Sequence, residues 1–342
     1  MPRQHQPLVP ARPALLGKIS GYLSARSRVN RTVVTGWRLL VLTLGASSAV
    51  PVQPALAQSL GVAMVSPDGF SELLRDSMRD YANSQPGTSI RFEYAENGAG
   101  AKQIEQVKGF IAAKVDAIIV LAVDTSATTT ITRMAQEADV PLVYVNNGPH
   151  EDWFAGRVAL VLPNDFVAGR LQMTKMGQIL NGRGRIAIIG GPAGHSASQL
   201  RTAGVKEVAA DLPGISIVAE AAADWDRRKA EQVVSGWLSR GEKIDAILAN
   251  NDEMALGAAN ALQAAKTPRE QIKIAGVDAT PDGLKAMLQK RIVLTIQQDA
   301  KAEGQSAISN ALKLINKEHV QQYDWVDFDL VTDKNISKFI EQ

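Results

Sequence analysis

Val115-Asp116-Ala117-Ile118-Ile119-Val120 and Ile244-Asp245-Ala246-Ile247-Leu248 are two versions of one phrase, and they decide the fold. Each is an apolar run that follows a helical stretch and precedes an acidic loop, at Asp124 in the first case and Asp252 in the second. A strand that is apolar throughout must be covered on both faces, as in a parallel sheet flanked by helices. Outward from these two runs, the same alternation fills the chain from Leu60 onward. Apolar runs at 60–65, 90–94, 117–121, 142–145, 158–162, 186–189, 215–218, 246–248, 272–277 and 293–296 predict strands. Helical periodicity at 72–83, 102–113, 128–138 and 227–239 lies between them. About ten strands in roughly 285 residues predict an α/β protein of two doubly wound lobes rather than one barrel.

The start of the 342-residue chain has another character. Residues 1–57 carry seven Lys or Arg and no acid, then an apolar run at 39–44, small residues, and Ala55-Leu56-Ala57. This is the order of a cleaved secretory signal peptide, with cleavage expected after Ala57. Its apolar run is too short to remain as a membrane span; the alternative is a disordered basic arm. Setting the leader's seven aside from 37 Lys and Arg leaves 30 against 35 Asp and Glu, so the net charge turns from +2 to −5. Such a balance offers no basic surplus to nucleic acid or an anionic membrane. The chain has no Cys and four His. Disulfides, a lipidated anchor and a structural zinc site are therefore not expected, and core burial must hold the exported, periplasmic protein together.

Ligands of doubly wound sheets bind outside the carboxyl ends of the strands. The loops to read are thus 66–70, 123–126, 146–150, 190–196, 224–227, 250–253, 278–282 and 297–300. Ala223-Asp224-Trp225-Asp226-Arg227, Asn250-Asn251-Asp252-Glu253-Met254-Ala255-Leu256-Gly257 and Gly276-Val277-Asp278-Ala279-Thr280-Pro281-Asp282-Gly283 offer an aromatic face, an amide and a carboxylate. That set suits a small polyhydroxylated molecule, because a ring face covers C–H groups while planar polar groups bond hydroxyls. Trp225, in an acid-flanked turn, either stacks on the ligand or anchors its helix. Trp237, at helical spacing with Val233 and Val234, is core. Thr280 followed by Pro281 reads as a helix cap, which frees Asp278 for hydroxyls. The same reasoning gives the Asn251 amide to the ligand and makes Asp252 a helix cap or lobe contact.

Gly190-Gly191-Pro192-Ala193-Gly194-His195-Ser196 reads as a tight turn capped by Ser196, since both G-x-G-x-x-G and Gly-Lys-Ser/Thr are absent. His195 is expected to line a cleft and donate a hydrogen bond. No G-x-S-x-G exists for it to serve as a base. Arg201 is, from spacing alone, either a ligand contact or a solvated arginine.

These blocks resemble the periplasmic substrate-binding proteins of the ribose/galactose type, and within them the inositol- and rhizopine-binding branch. Residues 223–227, 249–258, 276–283 and Thr295-Ile296-Gln297-Gln298-Asp299-Ala300-Lys301 carry the resemblance, supported by 115–120 and 142–147. It spans 60–342. It implies two Rossmann-like lobes joined by three hinge crossovers near 162–163, 298–299 and 327–328. The N-terminal lobe would then be 58–162 plus 299–327, and the C-terminal lobe 163–298 plus 328–342. By position, Phe70 and Trp225 would sandwich a sugar ring, and Asn146, Arg201, Asn251, Asp278 and Gln298 would bond its hydroxyls, with His195 nearby. The family usually has an arginine after Tyr144-Val145-Asn146; here Asn147 occupies that place in the site, and an amide cannot make a bidentate guanidinium contact. Ser66-Pro67-Asp68-Gly69-Phe70 is also shorter than the usual first loop.

The resemblance implies the binding component of a carbohydrate ABC importer. It would capture a neutral polyol (inositol, an inositol derivative, a pentose or a hexose) by lobe closure, as a monomer, without cofactor, metal or reaction. Its partners would be the importer's permease and, as a second reader of the closed form, a chemoreceptor. Two other classes share the architecture. A lac-repressor-type effector domain needs a DNA-binding helix-turn-helix where this chain has its leader. A sugar-processing enzyme needs paired acids or a nucleophile in recognisable context.

Overall fold

The computed structural model describes residues 57–67, 69–149, 153–268 and 271–340. The leader read at 1–57 lies outside them except for Ala57. From Gln58 the chain alternates β1 (Gln58–Val65), α1 (Gly69–Ser84), β2 (Thr88–Ala95), α2 (Gly100–Ala112), β3 (Ala117–Val120), α3 (Thr128–Glu137), β4 (Leu142–Val145) and β5 (Val158–Pro163). A second series follows: α4 (Asp165–Ile179), β6 (Arg183–Gly190), α5 (Ser196–Ala210), β7 (Gly214–Ala222), α6 (Arg227–Ser239), β8 (Ala246–Ala249), α7 (Asp252–Ala264), β9 (Lys273–Ala275) and α8 (Pro281–Leu288). The chain ends with β10 (Thr295–Gln298), α9 (Ala300–Ile315), β11 (Tyr323–Val326), β12 (Phe328–Val331) and α10 (Ser337–Ile340).

Two sheets result. The first has six parallel strands in the order β11-β5-β4-β3-β1-β2, and the second has four in the order β7-β6-β8-β9. An antiparallel pair, β10-β12, is joined to the edge of the second by bridges from Ala275 to Leu294 and from Asp278 to Gln297. Side chains alternate between the faces of a strand, and the cores obey this. In β3, Ile119 joins Leu60, Val62 and Val143 under α1 and α9, while Ile118 and Val120 join Tyr144 and Leu160 under α2 and α3. In β8, Ile247 and Ala249 pack with α6 and α7, and Ala246 and Leu248 with α4 and α5. All four residues of β3 and of β8 are buried. Each Ile or Leu so placed contributes about 1.5–3 kcal/mol, so the repeated phrase in the sequence marks the centre of each lobe. Trp237 lies in the second core, as its spacing predicts.

Among the described residues the chain changes sheets three times. It leaves β5 for α4, which packs on α5. It returns from β10 to α9, which packs on α1. It passes finally from β11, paired with β5, to β12, paired with β10. Two expectations need correction. The strand read at 272–277 is only three residues long, because Val277 and Asp278 leave the ladder to meet β10. Strands β11 and β12 carry no continuous apolar run in the sequence, since Tyr323–Val326 is a half-exposed edge strand with Asp324 inside it and only Asp327 separates the two.

Candidate functional site

Trp225 stands in a turn whose backbone is left-handed at two successive positions, Asp224 (φ 52) and Trp225 (φ 65). Such backbone is costly for non-glycine residues. It is held by Asp226, whose side chain caps α6 by accepting from Lys229 N. The loop after β6 makes room for the indole, because a Cβ on Gly191 would overlap Trp225. The His195 ring meets Trp225 edge-on at 5.3 Å, and the Arg201 guanidinium lies 5.9 Å from its centroid.

Arg201 is buried, which excludes the solvated alternative. Helices α4 and α5 touch backbone to backbone: a Cβ on Gly169 would overlap the Arg201 carbonyl, and one on Gly204 the Phe166 carbonyl. This approach brings Asp165, the first residue of α4, within 2.7 Å of Arg201 Nε. Nη1 donates to Asn250 O at 2.7 Å and to Asp278 at 3.3 Å, and Nη2 to Gln298 Oε1 at 2.7 Å. A buried guanidinium needs such pairing. Burial pushes the carboxyls of Asp165 and Asp278 above their usual range, and Arg201 opposes it in both.

Thr280 caps α8 with Pro281 next to it, as the sequence predicts, and Asp278 (φ 111) is left at the cavity. The cap read at Asp252 falls instead on its neighbour. Asn251 is the cap of α7, accepting from Met254 N through Oδ1. Its Oδ1 is therefore committed and its Nδ2 is the end left for a ligand. Asp252 does not cap. Fully buried, it accepts from Thr280 N (2.8 Å), Thr280 Oγ1 (3.2 Å) and Thr295 Oγ1 (2.7 Å), so it ties the loop before α8 to β10. Burial pushes its carboxyl up to about 7 against these three donors.

Phe70, Asn146, His195, Arg201, Trp225, Asn251, Asp278 and Gln298 line one cavity of about 90 Å³. Phe70 enters it from the first turn of α1 and Trp225 from the turn before α6, so the two aromatics belong to different lobes. Asn147 does not line it. Buried beside the cavity, it donates to Ala122 O at 2.8 Å and accepts from Ser196 Oγ at 2.6 Å across the lobe boundary. Ser196 is therefore not the cap of α5, because its hydroxyl is drawn to Asn147; His195 occupies the cap position without a side-chain bond. The expectation that His195 donates is also corrected at Nε2. That atom lies 3.3 Å from Asn147 Nδ2, an amide donor, so it accepts. Burial, then Arg201, depress this imidazole to about 4, which keeps it neutral.

Among the residues of this region that escaped sequence reasoning are one amide and three carboxylates. Asn97 and Glu253 also line the cavity, and Glu253 pairs with Arg227. Asp165 and Glu303 lie behind it, fully or nearly buried. The last two carried a legible signal: each falls on the apolar stripe of its helix, Glu303 with Ala300, Ala307 and Ala311.

Residues 61–319 match the family described as periplasmic binding protein domain. The chain belongs to that family. Among relatives of this periplasmic binding protein is a Rhizobium meliloti protein named for rhizopine binding, 40% identical over 301 residues, covering 86% of this chain and 97% of the relative. A xylitol-binding protein of Mycolicibacterium smegmatis is 31% identical over 283 residues, covering 82% and 79% of the two chains. A solved ABC transporter solute-binding protein from Bacillus halodurans, with bound myo-inositol, superposes with a TM-score of 0.79 at 34% identity over 84% of this chain and 98% of its own. The fold is thus the two-lobed type I fold of periplasmic binding proteins, and family membership implies a periplasmic location.

Proposed function

We propose that this protein is the substrate-binding component of a carbohydrate ABC importer and captures a neutral polyol by lobe closure. The observation that carries the reading is the cavity itself. One aromatic face from each lobe and planar amides and carboxylates converge on a small space, the combination that covers C–H groups and bonds hydroxyls. Arg201 is neutralised within the protein by Asp165 and Asp278, so no unbalanced cation is left to attract an anion. The binding of xylitol and myo-inositol by relatives is consistent with such a ligand.

In this reading Phe70 and Trp225 sandwich the ring, and Asn146, Arg201, Asn251, Asp278 and Gln298 bond hydroxyls. The N-terminal lobe is 58–162 plus 299–327 and the C-terminal lobe 163–298 plus 328–342, with export through a leader cleaved after Ala57. Ligand bridging both lobes shifts the population to the closed form, which the permease, and in some settings a chemoreceptor, reads from a monomer. No reaction is required. Calorimetric titration with myo-inositol, ribose, galactose and an amino-inositol tests it, repeated with Trp225→Ala. Saturable one-to-one binding of one polyol, lost in the variant, is expected. No heat with any of the four would move the ligand outside this class.

A further inference from the structure

We infer that Glu303 is a positioning residue: by accepting from Asn146 and Gln298 together, it fixes which end of each amide faces the cavity. The inference deepens the polyol reading and rests on it for its effect on affinity.

Glu303 is fully buried on the inner stripe of α9. Gln298 Nε2 donates to its Oε1 at 2.8 Å, and Asn146 Nδ2 to its Oε2 at 3.1 Å. An amide has one donating and one accepting end. With its nitrogen committed, Asn146 is left to offer its oxygen to a ligand. Gln298 is held at both ends, since its Oε1 accepts from Arg201 Nη2 at 2.7 Å. A chain of bonds thus runs from Arg201 in the second lobe, through Gln298 at a crossover, to Glu303 and Asn146 in the first. The polarity of the site is set from behind it.

The charged groups facing Glu303 are Asp165 on α4 and Arg201 on α5, which act in opposite directions. Burial, aided by Asp165, outweighs the hydrogen bonds from Gln298 and Asn146 and the charge of Arg201, and the carboxyl is pushed up to about 8. When it holds a proton, one of its oxygens becomes a donor and only one amide N–H keeps its acceptor. Gln298 cannot turn, because its nitrogen would then face a guanidinium that has no acceptor. Asn146 is the amide that turns, and its offer to the ligand changes from acceptor to donor. Glu303→Gln makes the same change permanently at nearly constant volume.

The test has two arms. In ligand-free protein, the side-chain ¹⁵N amide resonances of Asn146 and Gln298 are identified by their loss in Asn146→Asp and Gln298→Glu. They are then followed from about pH 6 to 10, across the carboxyl's raised range. Both should move with one shared midpoint in the wild type and neither in Glu303→Gln; resonances that stay still, or move with unrelated midpoints, overturn the inference. In the second arm, polyol affinity is titrated over the same range. The wild type should change across the midpoint, while Glu303→Gln lacks that step and is about tenfold weaker on the alkaline side, the loss of one well-placed hydrogen bond. A variant with the wild-type affinity and profile overturns the role. If the wild type takes none of the four polyols, the polyol reading fails, and the resonance arm alone still decides for or against Glu303.

Discussion

At the scale of the residue, the site is built from side chains whose own bonds are already assigned. Arg201 shows what this costs. Its charge is balanced within the protein by Asp165 and Asp278, both buried. Arg201→Met would leave two buried carboxylates without a cation and destabilise by about 3–5 kcal/mol; a denaturant midpoint unchanged from wild type would refute that balance. Trp225→Ala should act differently, because the indole is only partly buried against its core. We expect polyol affinity to fall about ten- to hundredfold, with a thermal midpoint only slightly lower and Trp225→Phe intermediate. Asp252 gives a pH dependence. Its carboxyl stands at about 7 in the fold, against about 3.9 in an unfolded chain. Between those values the folded state holds a proton that the unfolded chain has released, so this group's contribution falls as pH rises through the window. Other carboxylates, such as Asp245 beside Arg185, are lowered and act oppositely. The informative quantity is therefore the difference between thermal midpoints of wild type and Asp252→Asn at pH 5 and pH 8, which should shift in the variant's favour at the higher pH.

At the scale of the element, precision comes from glycines that let backbones and rings approach. Gly204 faces the Phe166 carbonyl where α4 meets α5. Gly204→Ala must push the helices apart, at about 1–3 kcal/mol, and draw Arg201 away from Asp165. Reduced stability together with reduced polyol affinity is expected; a loss of stability alone would mean that the helix pair does not position the guanidinium. The elements themselves were largely legible, because continuous apolar runs such as Ala117–Val120 admit one reading once helices flank them. So was the set of loops, since a strand's carboxyl end is fixed by its direction. Atom-level assignments were not legible. Whether Asn251 or Asp252 caps α7 depends on which side chain finds three donors in the core. Glu303 does not stand out because a carboxylate in a helix is usually solvated, although its place on the Ala300–Ala307–Ala311 stripe marks it as buried.

At the scale of the whole molecule, the question is what holds the lobes together, and Asn147 supplies one answer. It stands where the resemblance leads one to expect an arginine on the ligand, yet its amide is spent on Ala122 O, Ser196 Oγ and His195 Nε2. The last two partners belong to the other lobe, so these bonds exist only when the lobes meet. In an open form water satisfies the same groups. Asn147→Ala removes both cross-lobe bonds, of which the 2.6 Å bond from Ser196 Oγ is the shorter, and should therefore weaken closure by at least the net worth of one neutral hydrogen bond, about 0.5–1.5 kcal/mol. Because a ligand's apparent affinity scales with the population of the competent form, half-saturation should rise about two- to tenfold. Ser196→Ala should act in the same direction but by less, and the double variant should be less than additive, since the Ser196–Asn147 bond is lost in both. Small-angle scattering separates this latch from a direct ligand contact. Saturated Asn147→Ala should reach the same compact form as the wild type and need only more ligand to do so. A variant that never compacts would make Asn147 part of the binding surface, and one with unchanged half-saturation would leave the cross-lobe bond without a role in closure.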